Sequence, residues 1–327
     1  MGKRPASRRR APILAILALG LALAAAPAAF QMFSRAPDGG RMIEDFRPYM
    51  STAKIDEFRG YLDEIDAADS EVAQHLASST DTTPRPALVA LEREWPTINA
   101  DMGDMLATMR SNIGRFRGIS ALPPFVLFPW FFVVPGVITA GLAVAAIVAN
   151  GRGGPTIGYQ RALVAMGLGV VMAPFIFQMF SRAPGGAAMI DEFRPLMTEQ
   201  RVATVQGYFL TLGAAEGELR TQLLPSLAAS DPSEATLPDA RAFSARWPTI
   251  SEDMAPMIGT MADNLGNFEA VDALPPFWAF PWFFVIPGLA IAALATPAAR
   301  RRPPTSMSMS MSATTTPDLQ VLEGNRS

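Results

Sequence analysis

Two short clusters set acids beside guanidinium groups: Arg35, Glu44, Asp45 and Arg47, then Arg182, Asp191, Glu192 and Arg194. Adjacent carboxylates can hold a divalent cation through their oxygens. Beside arginine they can instead form charge-assisted pairs. Neighbouring residues on a helix point in different directions, so Glu44 and Asp45 make a poor chelate unless the other cluster adds ligands. The expected role is therefore structural ion pairing close to a membrane surface, with a weak cation site as the rival and no bound metal assumed. Little else in the chain offers chemistry. There is no cysteine, hence no disulfide, thiolate or Cys metal site. The one histidine, His75 in "VAQHLAS", has no counterpart in the second copy described below and reads as a surface residue. "GRGGPTIG" at Gly151 lacks the Lys-Ser/Thr ending of a phosphate loop and reads as a turn. No catalytic set and no cofactor is expected.

The clusters belong to a repeat. "FQMFSRAPDGGRMIEDFRPYM" begins at Phe30, and "FQMFSRAPGGAAMIDEFRPLM" begins 147 positions later at Phe177. "WPTI" (Trp95, Trp247), "ALPPF" (Ala121, Ala273) and "FPWFFVVPG"/"FPWFFVIPG" (Phe128, Phe280) recur at a spacing of 152. The second copy is thus five residues longer between Tyr208 and Trp247, where "LLPSLAASDPSEATLPDA" reads as a loop. "APDGG" and "APGG" read as turns.

What positions these clusters is a set of four uncharged stretches, residues 11–33, 125–150, 162–180 and 277–296. Each is close to the roughly 20 residues that a helix needs to cross a bilayer core. Half of the residues are hydrophobic and only 17% are charged, and the charges are sorted by segment. Residues 34–124 carry ten basic and fifteen acidic side chains, and 181–276 carry six and thirteen. The ends and the middle loop hold eleven basic and two acidic ones. Excess Lys and Arg mark the cytoplasmic face. The expectation is a multi-pass protein of the cell (plasma) membrane with both termini cytoplasmic and two acidic ectodomains outside. Its parts are a basic N-terminus (1–10), repeat 1 (11–150, ectodomain 34–124), a cytoplasmic loop (151–161), repeat 2 (162–296, ectodomain 181–276) and a disordered tail (297–327). "GKRPASRRR…ALAAAPAAF" also suits a cleaved secretory signal, but the third stretch leads into the same phrase from mid-chain. Trp130, Phe131 and Phe132, like Trp282, Phe283 and Phe284, suit the interfacial aromatic belt. Small residues, among them Ala18, Gly20, Ala22, Ala24, Gly167 and Gly169, favour close helix contact. The stretches hold no ionisable side chain, which argues against a pump or voltage sensor. The basic clusters flank apolar stretches, so nucleic acid is not an expected partner. The bilayer is, together with a protein partner or a second copy of the chain.

The acidic segments read as helices. Trp95, Ile98, Met102, Met105, Met109, Asn112 and Phe116 alternate spacings of three and four, and Trp247, Ile250, Met254, Met257, Met261, Asn264 and Phe268 do the same. Such a seam is coiled-coil-like. Its Asn112 and Asn264 read as register-setting polar residues, and leucine in their place is expected to raise thermal stability. A second stripe runs from Phe46 through Phe58, Tyr61 and Ile65 to Leu76, and its copy from Phe193 to Leu223. Each ectodomain is expected to be an antiparallel helical hairpin, and the two to pair as a four-helix stalk. The fold class is all-α, a tandem parallel repeat. The layout of span, helical ectodomain and span, twice over, is similar in outline to prominin and tweety proteins. Both of those have an additional span, and no residue roles carry over from them. The function expected is a non-enzymatic scaffold that organises membrane or recruits a partner. The alternative is a transporter or channel component for a lipid or other apolar molecule, which would need a continuous apolar tunnel.

Overall fold

The computed structural model describes residues 11–80, 82–230 and 237–296. The basic N-terminus, part of each connector and the tail from 297, with Arg300–Arg302 and the Met-Ser run, lie outside the described residues. Every regular element among the described residues is helical. In chain order these are α1 (Ala11–Ala29), α2 (Met32–Phe46), α3 (Thr52–Ser78), α4 (Pro86–Ser120), α5 (Trp130–Gly151), α6 (Ile157–Ile176), α7 (Met179–Phe193), α8 (Glu199–Glu218), α9 (Leu224–Ser230), α10 (Pro238–Asp263), α11 (Leu265–Asp272) and α12 (Phe280–Ala295).

Four helical stretches are long and apolar enough to cross a membrane: Ala11–Ala29, Phe125–Gly151, Ile157–Ile176 and Phe277–Ala295. The third starts before the expected 162 and so takes in Arg161. The paired prolines before Phe125 and Phe277 exclude regular helix. A single 3-10 turn follows in each copy, Phe125–Leu127 and Phe277–Ala279, before α5 and α12 begin. α1 packs on α5 and α6 on α12, and glycine makes both crossings possible. A Cβ on Gly20 would stand 2.8 Å from the Ala140 backbone nitrogen, and one on Gly136 2.6 Å from that of Ala24. Gly167 and Gly288 meet the same way, each within 2.7 Å of the other's carbonyl oxygen. Backbones this close gain dispersion contact that side chains would block. Gly169 meets nothing within 4 Å and takes no part.

The turn after the first and third apolar stretches lies elsewhere than expected. "APDGG" and "APGG" are helical, inside α2 and α7. The chain turns instead at Gln31 and Gln178, whose φ of 54° and 53° is left-handed. The glycines serve packing: a Cβ on Gly39 would lie 2.9 Å from Val271, and one on Gly186 3.2 Å from Ile119. The stripes from Phe46 and Phe193 are not one helix each either. Pro48 and Pro195 stop α2 and α7 early. Ser51 and Thr198 then cap α3 and α8, each oxygen accepting the backbone N–H three residues on at 3.2 Å.

"LLPSLAAS", expected as loop, is helical. Leu219–Leu223 forms one π turn and continues into α9. A π turn absorbs extra residues without breaking a helix, and Leu223 and Leu227 stay buried. α3 packs on α4 and on α10, and α8 packs on α4 and on α10. α2 lies on α11 and α7 on α4. Both heptad seams face one shared core, where Ile98, Met102, Met105, Ile250, Met254 and Met257 are at most 2% exposed.

Candidate functional site

The region where the charged helices meet the apolar ones is where the two sequence clusters lie, and the structure splits their eight residues into three roles. Arg35 donates to the Ala273 carbonyl at 2.9 Å, and Arg182 to the Ala121 carbonyl at 3.1 Å. Ala273 and Ala121 cap the C-termini of α11 and α4, where orphan carbonyls and the negative helix end favour a cation. Asp45 and Glu192 reach across to the seam asparagines of the other copy. Asn264 donates to Asp45 at 3.1 Å, and Asn112 to Glu192 at 2.7 Å. Arg115 adds a second bond to Glu192 at 2.6 Å. The Asn112 and Arg115 bonds together hold the Glu192 carboxyl below its ordinary range. The remaining four, Glu44, Arg47, Asp191 and Arg194, pair close to home. Arg47 bonds Glu44 at 2.6 Å on the surface, whereas Arg194 takes Asp191 at 3.0 Å and grips both oxygens of Asp272 at 2.7 and 3.1 Å.

Glu44 and Asp45 therefore do diverge, as adjacent helical residues must, and the two clusters' acids do not converge. Among the described residues no group of three or more acids, His or Cys stands where it would hold a metal ion.

Asn112 and Asn264 are fully buried and do more than interrupt a seam. Asn112 donates to Glu192 and to the Thr108 carbonyl, and accepts from Arg115 at 2.9 Å. Asn264 donates to Asp45 and the Thr260 carbonyl, and accepts from Asn267 at 2.9 Å. A leucine at either place would remove the bond that ties Asp45 or Glu192 to the seam, a loss that opposes the expected gain in stability.

Further up, matched bonds join the copies that sequence reading passed over. The Tyr61 hydroxyl donates to Asp253 and the Tyr208 hydroxyl to Asp101, both at 2.6 Å. Lys54 stands 3.1 Å from Asp253, and Arg201 pairs with Asp101. Burial, then the aspartate bond, raises each tyrosine above its ordinary pKa. Arg201 first and Tyr208 second lower Asp101. Tyr61, then Lys54, lower Asp253. At the far end Glu71 accepts the Ala240 N–H and Glu218 the Leu88 N–H, both at 2.9 Å. Each glutamate thereby caps the first turn of a helix of the other copy. The signal was in the alignment of the copies, which sets Lys54 on Arg201, Tyr61 on Tyr208, Glu71 on Glu218 and Asp101 on Asp253.

The aromatic sextet also divides. Trp130 and Trp282 are exposed, and each meets a ring of the preceding turn edge-on, Phe33 at 5.8 Å and Phe180 at 5.6 Å. Phe283 is exposed and Phe131 half-buried. Phe132 and Phe284 lie one position further round the helix, are at most 3% exposed, and pack on each other at 4.3 Å between centroids. They join α5 to α12 and cannot anchor in head groups.

The space left among these residues is apolar. A cavity of about 40 Å³ lies between the copies, lined by Met42, Phe46, Met50, Met189, Phe193 and Met197 among others. A second of about 50 Å³ is lined by Phe125, Phe128, Phe277 and Phe280 with Met32 and Met179. The third and roomiest of the three, about 160 Å³, opens between α1 and α12 beside Leu23, Ala26, Phe30, Phe132 and Phe283. The second and third share Met32 and Phe280, and the first shares no lining residue with either.

No family model matches the chain, and neither a search of curated proteins nor one of solved structures returns a similar protein.

Proposed function

We propose that the chain is a non-enzymatic integral protein of the cell membrane. Two acidic helical hairpins, α3–α4 and α8–α10, stand together as a four-helix stalk outside, on four spans with both termini inside. The stalk acts as a scaffold that organises membrane or recruits a partner. The observation that carries this reading is the use made of the buried polar groups. Asn112, Asn264, Tyr61, Tyr208, Glu71 and Glu218 each make a hydrogen bond that joins one copy to the other. An active site needs polar groups that converge on a space and stay free for substrate. Here the three cavities described above are lined by apolar side chains, while these polar groups hold the stalk shut. A through-route for an apolar solute, the alternative function, is disfavoured by the separation of the upper cavity from the two lower ones.

The chain lacks cysteine, which makes a direct test simple. Single cysteines at exposed Asp63 and at Gly153 are probed on intact cells with a membrane-impermeant maleimide. Labelling of Asp63→Cys alone, with Gly153→Cys labelled only after permeabilisation, is expected. The opposite pattern inverts the topology and ends the proposal. Cross-linking through the Asp63 position should then trap a protein neighbour or a second copy, and a chain that stays monomeric and uncross-linked in its native membrane is no scaffold.

A further inference from the structure

We propose that the cleft between α1 and α12 seats part of one acyl chain of an anionic phospholipid whose phosphate is held by Arg35. The inference rests on the reading that these helices stand in a bilayer, and two independent features point to it. The first is the cleft. Its lining is apolar, from Leu19, Leu23 and Ala26 on α1 to Phe283 and Pro287 on α12. At about 160 Å³ it matches the size of apolar cavities, about 150 Å³, that stay dry and take up benzene-sized groups. Leu21, Ile286 and Leu289 on the same two helices are more than half exposed, so the surroundings of the cleft are hydrocarbon once α1 and α12 are in a membrane. The apolar molecule present there in excess is a lipid tail.

The second feature is a cation just beyond the Met32 end of the cleft. Met32 lines the cleft and lies one helical turn before Arg35. Pro275 also lines it and lies two residues beyond Ala273, whose carbonyl Arg35 holds. The guanidinium is therefore tethered at the rim by one of its nitrogens. No carboxylate pairs with it among the described residues, as with Arg182 at the matching position, which also holds a carbonyl, whereas Arg47, Arg115 and Arg194 nearby each have an acid partner. Its remaining N–H donors are therefore available. A guanidinium matches a phosphate in geometry and charge, and a phosphate just above a lipid tail is a phospholipid head group. A neutral lipid would fill the cleft equally well but leave those donors unused.

The test uses the full chain reconstituted in nanodiscs of equal phosphatidylglycerol and phosphatidylcholine, transferred to mild detergent, and analysed by native mass spectrometry. The expected result is one phospholipid retained per chain, with phosphatidylglycerol preferred. Arg35→Gln should reduce that preference about tenfold, the equivalent of a single charge-assisted hydrogen bond. Ala26→Phe, which fills the cleft, should abolish retention of both lipids; if that variant does not fold, Ala22→Leu from the same wall answers the question. Retention that is absent in the wild type, limited to detergent, or unchanged in the filled variants overturns the seat. Alkaline carbonate extraction separates the two ideas. A chain released from membranes by carbonate refutes the bilayer reading as well, whereas one that stays embedded yet retains no lipid refutes the seat alone.

Discussion

Asp69 offers a measurement in which sign, size and pH window all follow from its surroundings. It sits on α3 against Ile65, Val72, Leu88, Leu219 and Phe243. Burial pushes its carboxyl from 3.8 up to about 6, and the negative charges of Glu92 and Asp66 push the same way. The second copy resolves the matching position differently. There Glu216 receives Arg220 at 3.1 Å and the Ser244 hydroxyl at 2.9 Å, with Ser244 standing where the first copy has Glu92. A shift of about two pKa units would correspond to about 3 kcal/mol. Asp69 is half-buried rather than enclosed, and solvent screening reduces that to about 1–2 kcal/mol. The folded chain holds the Asp69 proton more tightly than the unfolded chain does. Its favourable contribution is therefore complete below about pH 4 and is lost as pH rises through about 6. Asp101, Glu192 and Asp253, with lowered pKa values, act in the opposite sense and at lower pH. Their contribution is present above the ordinary carboxylate range and fails only as pH falls below it. Between pH 4.5 and 7 the Asp69 effect therefore stands clear. Asp69→Asn should raise Tm in detergent by roughly 2–6 °C at pH 7 and by only about a third as much at pH 4.5. A gain of equal size at both pH values, or none at pH 7, would show that the carboxylate is not strained by its setting.

Three further perturbations are read by the same melting assay. Gly20→Ala places a methyl group 2.8 Å from the Ala140 backbone, where nothing flexible can yield, and should cost about 3 kcal/mol; Gly141→Ala, with nothing within 4 Å, should be nearly silent, and equal effects would remove the packing account of the α1–α5 crossing. Asn112→Leu removes the Glu192 and Thr108 bonds of a buried amide and should cost about 1 kcal/mol, so a higher Tm would restore the simple seam reading. Arg194→Ala breaks a two-pronged grip on Asp272, while Arg47→Ala breaks only a surface contact within α2 and its edge; the first should lower Tm and the second should not, and equal effects would mean that the Asp272 pair carries nothing.

How much of this could be read in the chain depends on the kind of signal. The four apolar helices were legible because length and absence of charge are one-dimensional properties. The seam residues from Trp95 to Phe116 were legible because a spacing of three and four is itself the helix, and all seven are buried. The ends of helices were less so. "APDGG" has the composition of a turn, yet Gly39 is there because Val271 of the other copy approaches it, a fact of tertiary packing with no local trace. Gln31 in the left-handed region has none either, since glutamine is not a residue that favours it. The eight clustered charges were found by type, but which of them reach across the copies was not decidable. Asp45 and Glu44 are neighbours in sequence and differ only in which side of α2 they occupy.

The matched bonds also bear on why the unit occurs twice in one chain. A single unit could not satisfy itself: Asn112 would lack Glu192, Glu71 would cap nothing, and Tyr61 would lose Asp253. Two identical separate chains could supply all of these, because each bond has its counterpart across the pair. What a homodimer could not do is differ between its halves. This chain does so at Asp66 against Gly213, Asp69 against Glu216, Glu92 against Ser244 and Ser120 against Asp272. Each departure has a physical consequence. Trp95 donates to Asp66 at 2.7 Å, whereas Gly213 leaves room for the Trp247 ring at 3.6 Å. Asp69 is pressed by Glu92, whereas Glu216 is relieved by Ser244. Arg194 gains Asp272, whereas Arg47, with Ser120 at the position matching Asp272, is left with a surface partner. The Asn, Tyr and Glu bonds that join the copies are thus kept in both, while the interface also diverges where Arg115 bonds Glu192 and Arg246 bonds Glu64, because Asn267 and Glu94 stand at the matching positions.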